Sequence, residues 1–342
     1  MKVDISITSP SVALSNRMAN MSLVAMLLIV LRHTGGTPSC SSVAWFLALT
    51  KDGVSHIGVP WFFFAAGYFI MNGIERDGWY FNSVRKRVHS LLVPYVSWSL
   101  IMSVFVYGLT KVSNCTWSYE SVWAWAGHAF GLSSVQPAYN ALWFLRALMV
   151  LVLFAPLMVG VARSWLLMTA FFVLAWFSLD LEALCGLPVN FFDFVIPLGG
   201  MFYFALGIAC RIWGLSMNFR LRYHLVALTM GLVLFSLVFG LKMRVFRWPG
   251  IALAVFGMWG LIPETEWPKW LTKSSFPIYL MHVIFNIAIG GVLKRFGVYN
   301  WSTQSIFNYL VATCVLVALS VGTTLLLRKV CSPVARILFG GR

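Results

Sequence analysis

His33 is the residue in this chain best placed to do chemistry. It follows Leu28-Ile29-Val30-Leu31-Arg32, at the end of a run from Met18 to Leu31 that is apolar except for Asn20 and Ser22. An imidazole takes up and returns a proton near neutral pH, the property a general base needs. Arg32, beside it, adds a fixed positive charge. Ionisable groups are costly in hydrocarbon, so at the end of such a run they either face a bundle interior or have reached the headgroup level. Both readings stay open for this pair. Arg17 lies sixteen residues before His33, about 24 Å along a straight helix. The two can mark opposite ends of one path across a membrane, or Arg17 can simply anchor its helix end by snorkelling.

A second set lies late in the chain. Ser275, Tyr279, His282 and Asn286 follow one another at steps of four, three and four, which puts all four on one helical face. A polar stripe in an otherwise apolar helix must face protein or water, as a catalytic lining or as a hydrogen-bonded packing seam. Trp143 and Arg146 are three apart and share a face in the same way. No acidic residue is near Arg146 in the sequence, and an arginine inside a membrane span is a functional candidate by default. Arg85-Lys86-Arg87 forms a basic knot ahead of Leu92-Val93-Pro94-Tyr95. Such a knot orients a span and touches anionic lipid, or holds the phosphates of a nucleotide-bearing coenzyme. Charge alone does not separate these uses.

The elements that must position these groups are membrane helices. The chain is 60% hydrophobic and 10% charged, with 16 Trp and 28 Phe, whereas a soluble domain carries roughly a quarter charged residues. Windows of about twenty residues place about ten spans, near 19–37, 55–72, 91–110, 140–161, 165–181, 191–213, 223–241, 246–262, 274–293 and 305–327. The expectation is an all-α polytopic membrane bundle of about ten transmembrane helices, one domain over 1–342 with no separate soluble domain. Residues 1–15 form a short cytoplasmic segment, and the first span lies too deep in the chain for a removed signal peptide. Pro197-Leu198-Gly199-Gly200 is expected to break or kink the sixth helix.

The formal charge of +15 does not indicate nucleic acid, because the basic residues are spread over loops. With both termini inside, most of them fall in inner segments. Lys242, Arg244 and Arg247 are on the wrong side for that rule. The six cysteines stand apart, without Cys-x-x-Cys or interleaved His pairs, so no metal site is expected. Cys40, Cys115 and Cys185 lie toward the outer face, where one disulfide is open as an alternative to isolated thiols.

Together these segments resemble the family-3 membrane acyltransferases, bacterial integral membrane enzymes that decorate envelope glycans. The matching pieces keep their order along nearly the whole chain: Asn16-Arg17 leading to His33; Val59-Pro60-Trp61-Phe62-Phe63 with Gly67-Tyr68; Arg85-Lys86-Arg87 with Leu92-Val93-Pro94-Tyr95 and Trp98; Leu142-Trp143-Phe144-Leu145-Arg146; and Ser275-Phe276-Pro277-Ile278-Tyr279-Leu280-Met281-His282. The resemblance implies an acyl-coenzyme A, acetyl the expected acyl group, bound at the cytoplasmic face of the bacterial inner membrane. It implies an acceptor hydroxyl on a glycan or lipid-linked saccharide. His33 would deprotonate that hydroxyl or relay the acyl group. Arg85, Lys86 and Arg87, with Arg17, would hold the coenzyme, and Arg146 would stabilise developing oxyanion charge. Tyr279 and His282 would line the same cavity, and Trp143, Ser275 and Asn286 the substrate's path.

Three positions depart from the family pattern. A basic residue about ten positions before the histidine is Leu23 here, and the commonly apolar neighbour of the histidine is Arg32, which joins the catalytic set as a stand-in for that charge. The acid after the fourth-span arginine is Ala147. The alternative functional class is a transporter of an envelope precursor or small organic acid, because polar groups in spans also mark substrate paths.

Overall fold

The computed structural model describes residues 10–34, 41–112, 122–130, 139–187, 196–240 and 246–341, and no strand occurs among them. Helices are what such a composition dictates, since in hydrocarbon each backbone group must find its partner within its own segment. In chain order they are α1 (Val12–His33), α2 (Ser41–Leu47), α3 (Gly58–Ile70), α4 (Trp79–Arg87), α5 (Val93–Val112), α6 (Val122–Ala129), α7 (Trp143–Leu153), α8 (Ala155–Ala162), α9 (Trp165–Trp176), α10 (Ser178–Leu184), α11 (Leu198–Ile212), α12 (Leu221–Gly240), α13 (Arg247–Leu261), α14 (Lys269–Thr272), α15 (Ser275–Arg295), α16 (Ile306–Val330) and α17 (Ser332–Leu338). Two π-helical turns, Ala48–Gly53 and Val88–Leu92, are inserted before α3 and α5.

Among the described residues five helical runs are long and apolar enough to span a membrane: Val12–His33, Val43–Ile70, Trp79–Gly108, Ser275–Arg295 and Ile306–Val330. Asn140–Leu153 and Ala155–Ala162 make a sixth if counted together, but they are bent by 72°. Trp165–Trp176, Leu198–Ile212 and Leu221–Leu234 are apolar but shorter. Among the described residues each of the ten expected windows therefore falls mainly on helix, while the lengths are uneven and ten full crossings are not established. The third run begins well before the expected 91, so Arg85-Lys86-Arg87 lies within the helical run and not in a loop. Pro197 is the N-cap residue of α11, and residues 191–195, the part of the expected sixth span ahead of it, lie outside the described residues.

α1 is the axis of the bundle and packs against α3, α15 and α16. Its first turn is capped by Ser11 Oγ, which accepts from the Leu14 amide at 3.2 Å. Close helix approach depends on glycine. A Cβ on Gly67 of α3 would stand 1.9 Å from the Phe204 carbonyl oxygen of α11, and one on Gly207 would stand 2.1 Å from that of Phe64. The small residues at 65–67 thus serve helix packing. Trp61, fully buried, stacks near Trp259 at 5.4 Å and donates to Ser22 Oγ at 3.1 Å.

Cys185, Cys210, Cys314 and Cys331 are free thiols, and Cys40 and Cys115 lie outside the described residues.

Candidate active site

The end of α1 is held from two sides. The last carbonyls of a helix have no partner within it, and here side chains supply them. Asn286 Nδ2 of α15 donates to the His33 carbonyl at 2.8 Å, and the Tyr309 hydroxyl of α16 donates to that of Leu31. Thr34 closes the end, its Oγ1 donating to the Val30 carbonyl at 2.8 Å. The His33 ring is therefore carried on a fixed backbone.

His33 faces His282, with ring centroids 5.1 Å apart and planes at 60°. His282 is completely buried. Its Nδ1 lies 2.8 Å from the Tyr279 carbonyl and 3.1 Å from that of Ile278. Two carbonyls accept and neither donates, so Nδ1 carries the hydrogen and the neutral ring keeps its lone pair on Nε2. Nε2 has no protein partner among the described residues. The helical stripe read from the sequence is real and faces α1, but its members divide their tasks: Ser275 and Tyr279 line one cavity, His282 meets His33, and Asn286 fixes the His33 backbone.

Two cavities lie along α1, α3 and α7. One, about 510 Å³, is lined by Arg32, His33, Lys51, Ser55, His56, Phe63, Asn140, Trp143, Gly199, Gly200, Tyr203, Arg247 and Trp248 among others. The other, about 530 Å³, is lined by Ser22, Met26, Phe62, Phe69, Lys86, Arg87, His89, Ser90, Phe144, Ser275, Tyr279 and the Gly340-Gly341 turn among others. Lys86 and Arg87 also border a smaller space of about 310 Å³ with Phe69, Asn72 and Ser83. The boundary between the two main cavities runs between sequence neighbours. Phe63 and Trp143 face the His33 side, while Phe62 and Phe144 face the Arg87 side. Rings bridge it in series: Phe63 to Phe144 at 5.0 Å, Phe144 to Tyr279 at 5.8 Å, Tyr279 to His282 at 6.3 Å and His282 to His33 at 5.1 Å. The Tyr279 hydroxyl donates to the Ala141 carbonyl and that of Tyr139 to the Leu280 carbonyl at 2.5 Å, so α15 and the start of α7 hold this partition together.

The remaining expected residues are placed as follows. Arg32 donates to the Lys51 carbonyl at 2.8 Å and lies 3.1 Å from His56 Nε2, which sets it in the wall of the His33 cavity. Arg17 is elsewhere, bonded to Asn218 Oδ1 at 2.6 Å, ion-paired with Glu264 at 3.1 Å and lying over the Trp259 ring. Arg85 is exposed and lines neither main cavity. Arg146 sits within electrostatic reach of Tyr95 and also lines neither of the two.

The cavities include residues that sequence reasoning passed over. His56 had no recognisable motif; its only signal is a position four before Pro60, one turn of helix away. Arg247 stood out only as a charge against the expected topology, and in the structure it is a cavity wall. Ser90 belongs to a π-helical turn, a feature that often marks functional sites but leaves no periodic trace in the sequence.

A family described as an acyltransferase domain matches residues 21–327. A succinoglycan biosynthesis protein, ExoH, of Rhizobium meliloti (strain 1021) is 22% identical over 361 residues, covering 96% of this chain and 93% of that protein. No solved structure matches. The chain belongs to the family-3 membrane acyltransferases.

Proposed function

We propose that this protein moves a small acyl group, acetyl the expected one, from acyl-coenzyme A in the Arg87 cavity to a saccharide hydroxyl in the His33 cavity. The observation that carries the proposal is the His33–His282 pair, which completes the ring partition between a cavity bordered by Lys86 and Arg87 and a second cavity open to a different ligand. The family supports acyl transfer, and the relative's name, which speaks of succinoglycan biosynthesis, supports a glycan or lipid-linked glycan as acceptor. The excess of Lys and Arg in segments expected inside supports both termini, and the Arg87 cavity, facing the cytoplasm.

In this mechanism the thioester end of the donor passes the row of rings to reach His33, and His33 takes the proton of the acceptor hydroxyl as its oxygen attacks the thioester carbonyl carbon. The carbonyl oxygen gains negative charge, the carbon–sulfur bond breaks, and the departing thiolate receives the proton from His33. His282 is a positioning residue, holding the His33 ring through their contact. Arg32, fixed by the Lys51 carbonyl and His56, is the cation placed to meet developing charge near His33. Arg146 is given no step. Lys86 and Arg87 suit the coenzyme's phosphates, and the phenylalanine walls of their cavity suit its thiol-bearing arm.

The test uses sealed vesicles holding the protein or its His33→Ala variant, with labelled acetyl-coenzyme A supplied on the cytoplasmic side. Label appearing in saccharide ester, and lost in the variant, is the expected result. Equal label in both removes His33 from the mechanism. Saccharide crossing the membrane without label would favour transport.

A further inference from the structure

Arg32 from α1, Lys51 from the Ala48–Gly53 turn and Arg247 from the start of α13 come from distant parts of the sequence and line one cavity, joined by His56. Interfacial lysines and arginines ordinarily snorkel outward to headgroups; these three converge instead on a concavity. Their placement is built in. Arg32 is fixed by the Lys51 carbonyl and by His56. Arg247 lies over the Trp248 ring at 5.1 Å, and Trp248 is seated against α11 where a Cβ on Gly199 would stand 1.9 Å from it. Glycine at 199 is what lets this platform reach the cavity.

We infer that the His33 cavity binds an acceptor bearing an anionic group, a carboxylate or a phosphate, next to the hydroxyl that is acylated. The word acceptor rests on the acyl-transfer reading above; the anion rests on the cavity alone. Cations gathered in a cleft with low-dielectric walls focus their field and concentrate anionic ligands. Guanidinium and ammonium groups match carboxylate and phosphate oxygens in charge and hydrogen-bond direction. A neutral saccharide, offering hydroxyls alone, has no need of three such groups. Two sources place this charge beside sugar hydroxyls: an acidic sugar residue, or the diphosphate of a lipid carrier.

The experiment measures equilibrium binding to the full chain in phosphatidylcholine nanodiscs, where no anionic lipid competes. One pair of probes is trigalacturonate and maltotriose; the other is farnesyl-diphosphate-linked N-acetylglucosamine and its neutral farnesyl glycoside. At least one anionic probe is expected to bind about tenfold or more tighter than its neutral partner, with the preference shrinking as salt rises. A preference in the first pair assigns a sugar carboxylate, and one in the second a carrier diphosphate. Lys51→Gln and Arg247→Gln should each reduce it several-fold, and Lys51→Arg should keep it. Lys294→Gln should keep it too, because Lys294 is exposed at the end of α15 beyond Asn286, on the His33 side of the bundle. Equal binding within both pairs, or a preference that survives both charge-removing substitutions, overturns the inference. Binding is read without transfer, so an intact anion preference in a protein that transfers no acyl group would count against the proposed function and leave this inference standing.

Discussion

The two main cavities share α1, α3 and α7 and are nearly equal in size, yet their walls are built for different ligands. The Arg87 cavity is a shaft of Met26, Phe62, Phe69, Phe144 and Leu148 with its charge gathered near Lys86, Arg87 and His89. Under the proposed function this space would hold the arm and phosphates of the donor, with the phosphates at the charged end. The His33 cavity spreads its charge, with Arg32, Lys51, His56 and Arg247 set among Ser55, Asn140 and glycine-backed rings. Under the proposed function it would hold the compact polar acceptor. Pockets gain specificity from a few placed polar groups, and under the proposed function those groups would sort a donor from an acceptor on either side of one row of rings.

The strongest way to break this division is at its centre. His33→Ala should lower transfer by about 10²–10⁴-fold, the usual worth of a general base, while acyl-coenzyme A still binds; rate and donor affinity measured on the same preparation check this. A loss of donor binding equal to the loss of rate would mean that the two cavities are one site. Arg87→Gln should act on one side only, raising KM for the donor about tenfold or more through a lost charge-assisted contact, with KM for the acceptor unchanged. Phe144→Ala opens the partition, since this ring spans from Phe63 to Tyr279. Water should then reach the thioester, and coenzyme release without acceptor should rise several-fold. A tight partition in that variant would show that the rings do not separate the chambers.

The legible part of this site was periodic or charged. The apolar run into Arg32-His33, the stripe at 275, 279, 282 and 286, and the Arg85-Lys86-Arg87 knot could each be read from residue type and spacing, because helix geometry maps those spacings onto a face. The helical class followed from composition. What could not be read depended on which helices touch. Arg17 carries the same charge as Arg87, and only the end of α13 with the loop after it, which bring Trp259 and Glu264 to it, sets it apart from the Arg87 cavity. Arg146 stood out as a membrane arginine with no acid nearby in the sequence, and it lines neither main cavity, because which groups of α7 reach a cavity is set by the helices packed around it. A twenty-residue apolar window does not by itself give the number of full crossings, because it does not reveal a 72° bend such as that between α7 and α8, or a helix that stops short.

The smallest effect expected tests the most local claim, that Asn286 serves His33 through its backbone. Its Nδ2 donates to the His33 carbonyl at 2.8 Å, and Asn286 lines neither main cavity. Asn286→Ala removes one hydrogen bond, worth about 0.5–1.5 kcal/mol net, which corresponds to about two- to tenfold if the whole of it is felt in the rate. The loss should fall on kcat, with KM for donor and acceptor both nearly unchanged, because neither ligand touches the side chain. Tyr309→Phe removes the companion bond to the Leu31 carbonyl, one turn-edge away on the same helix end. If both bonds hold the same backbone, the double variant should lose more than the product of the single losses, since neighbours sharing a task are not additive. A purely multiplicative double variant would mean that each bond steadies its own helix and that the His33 ring is oriented by His282 alone.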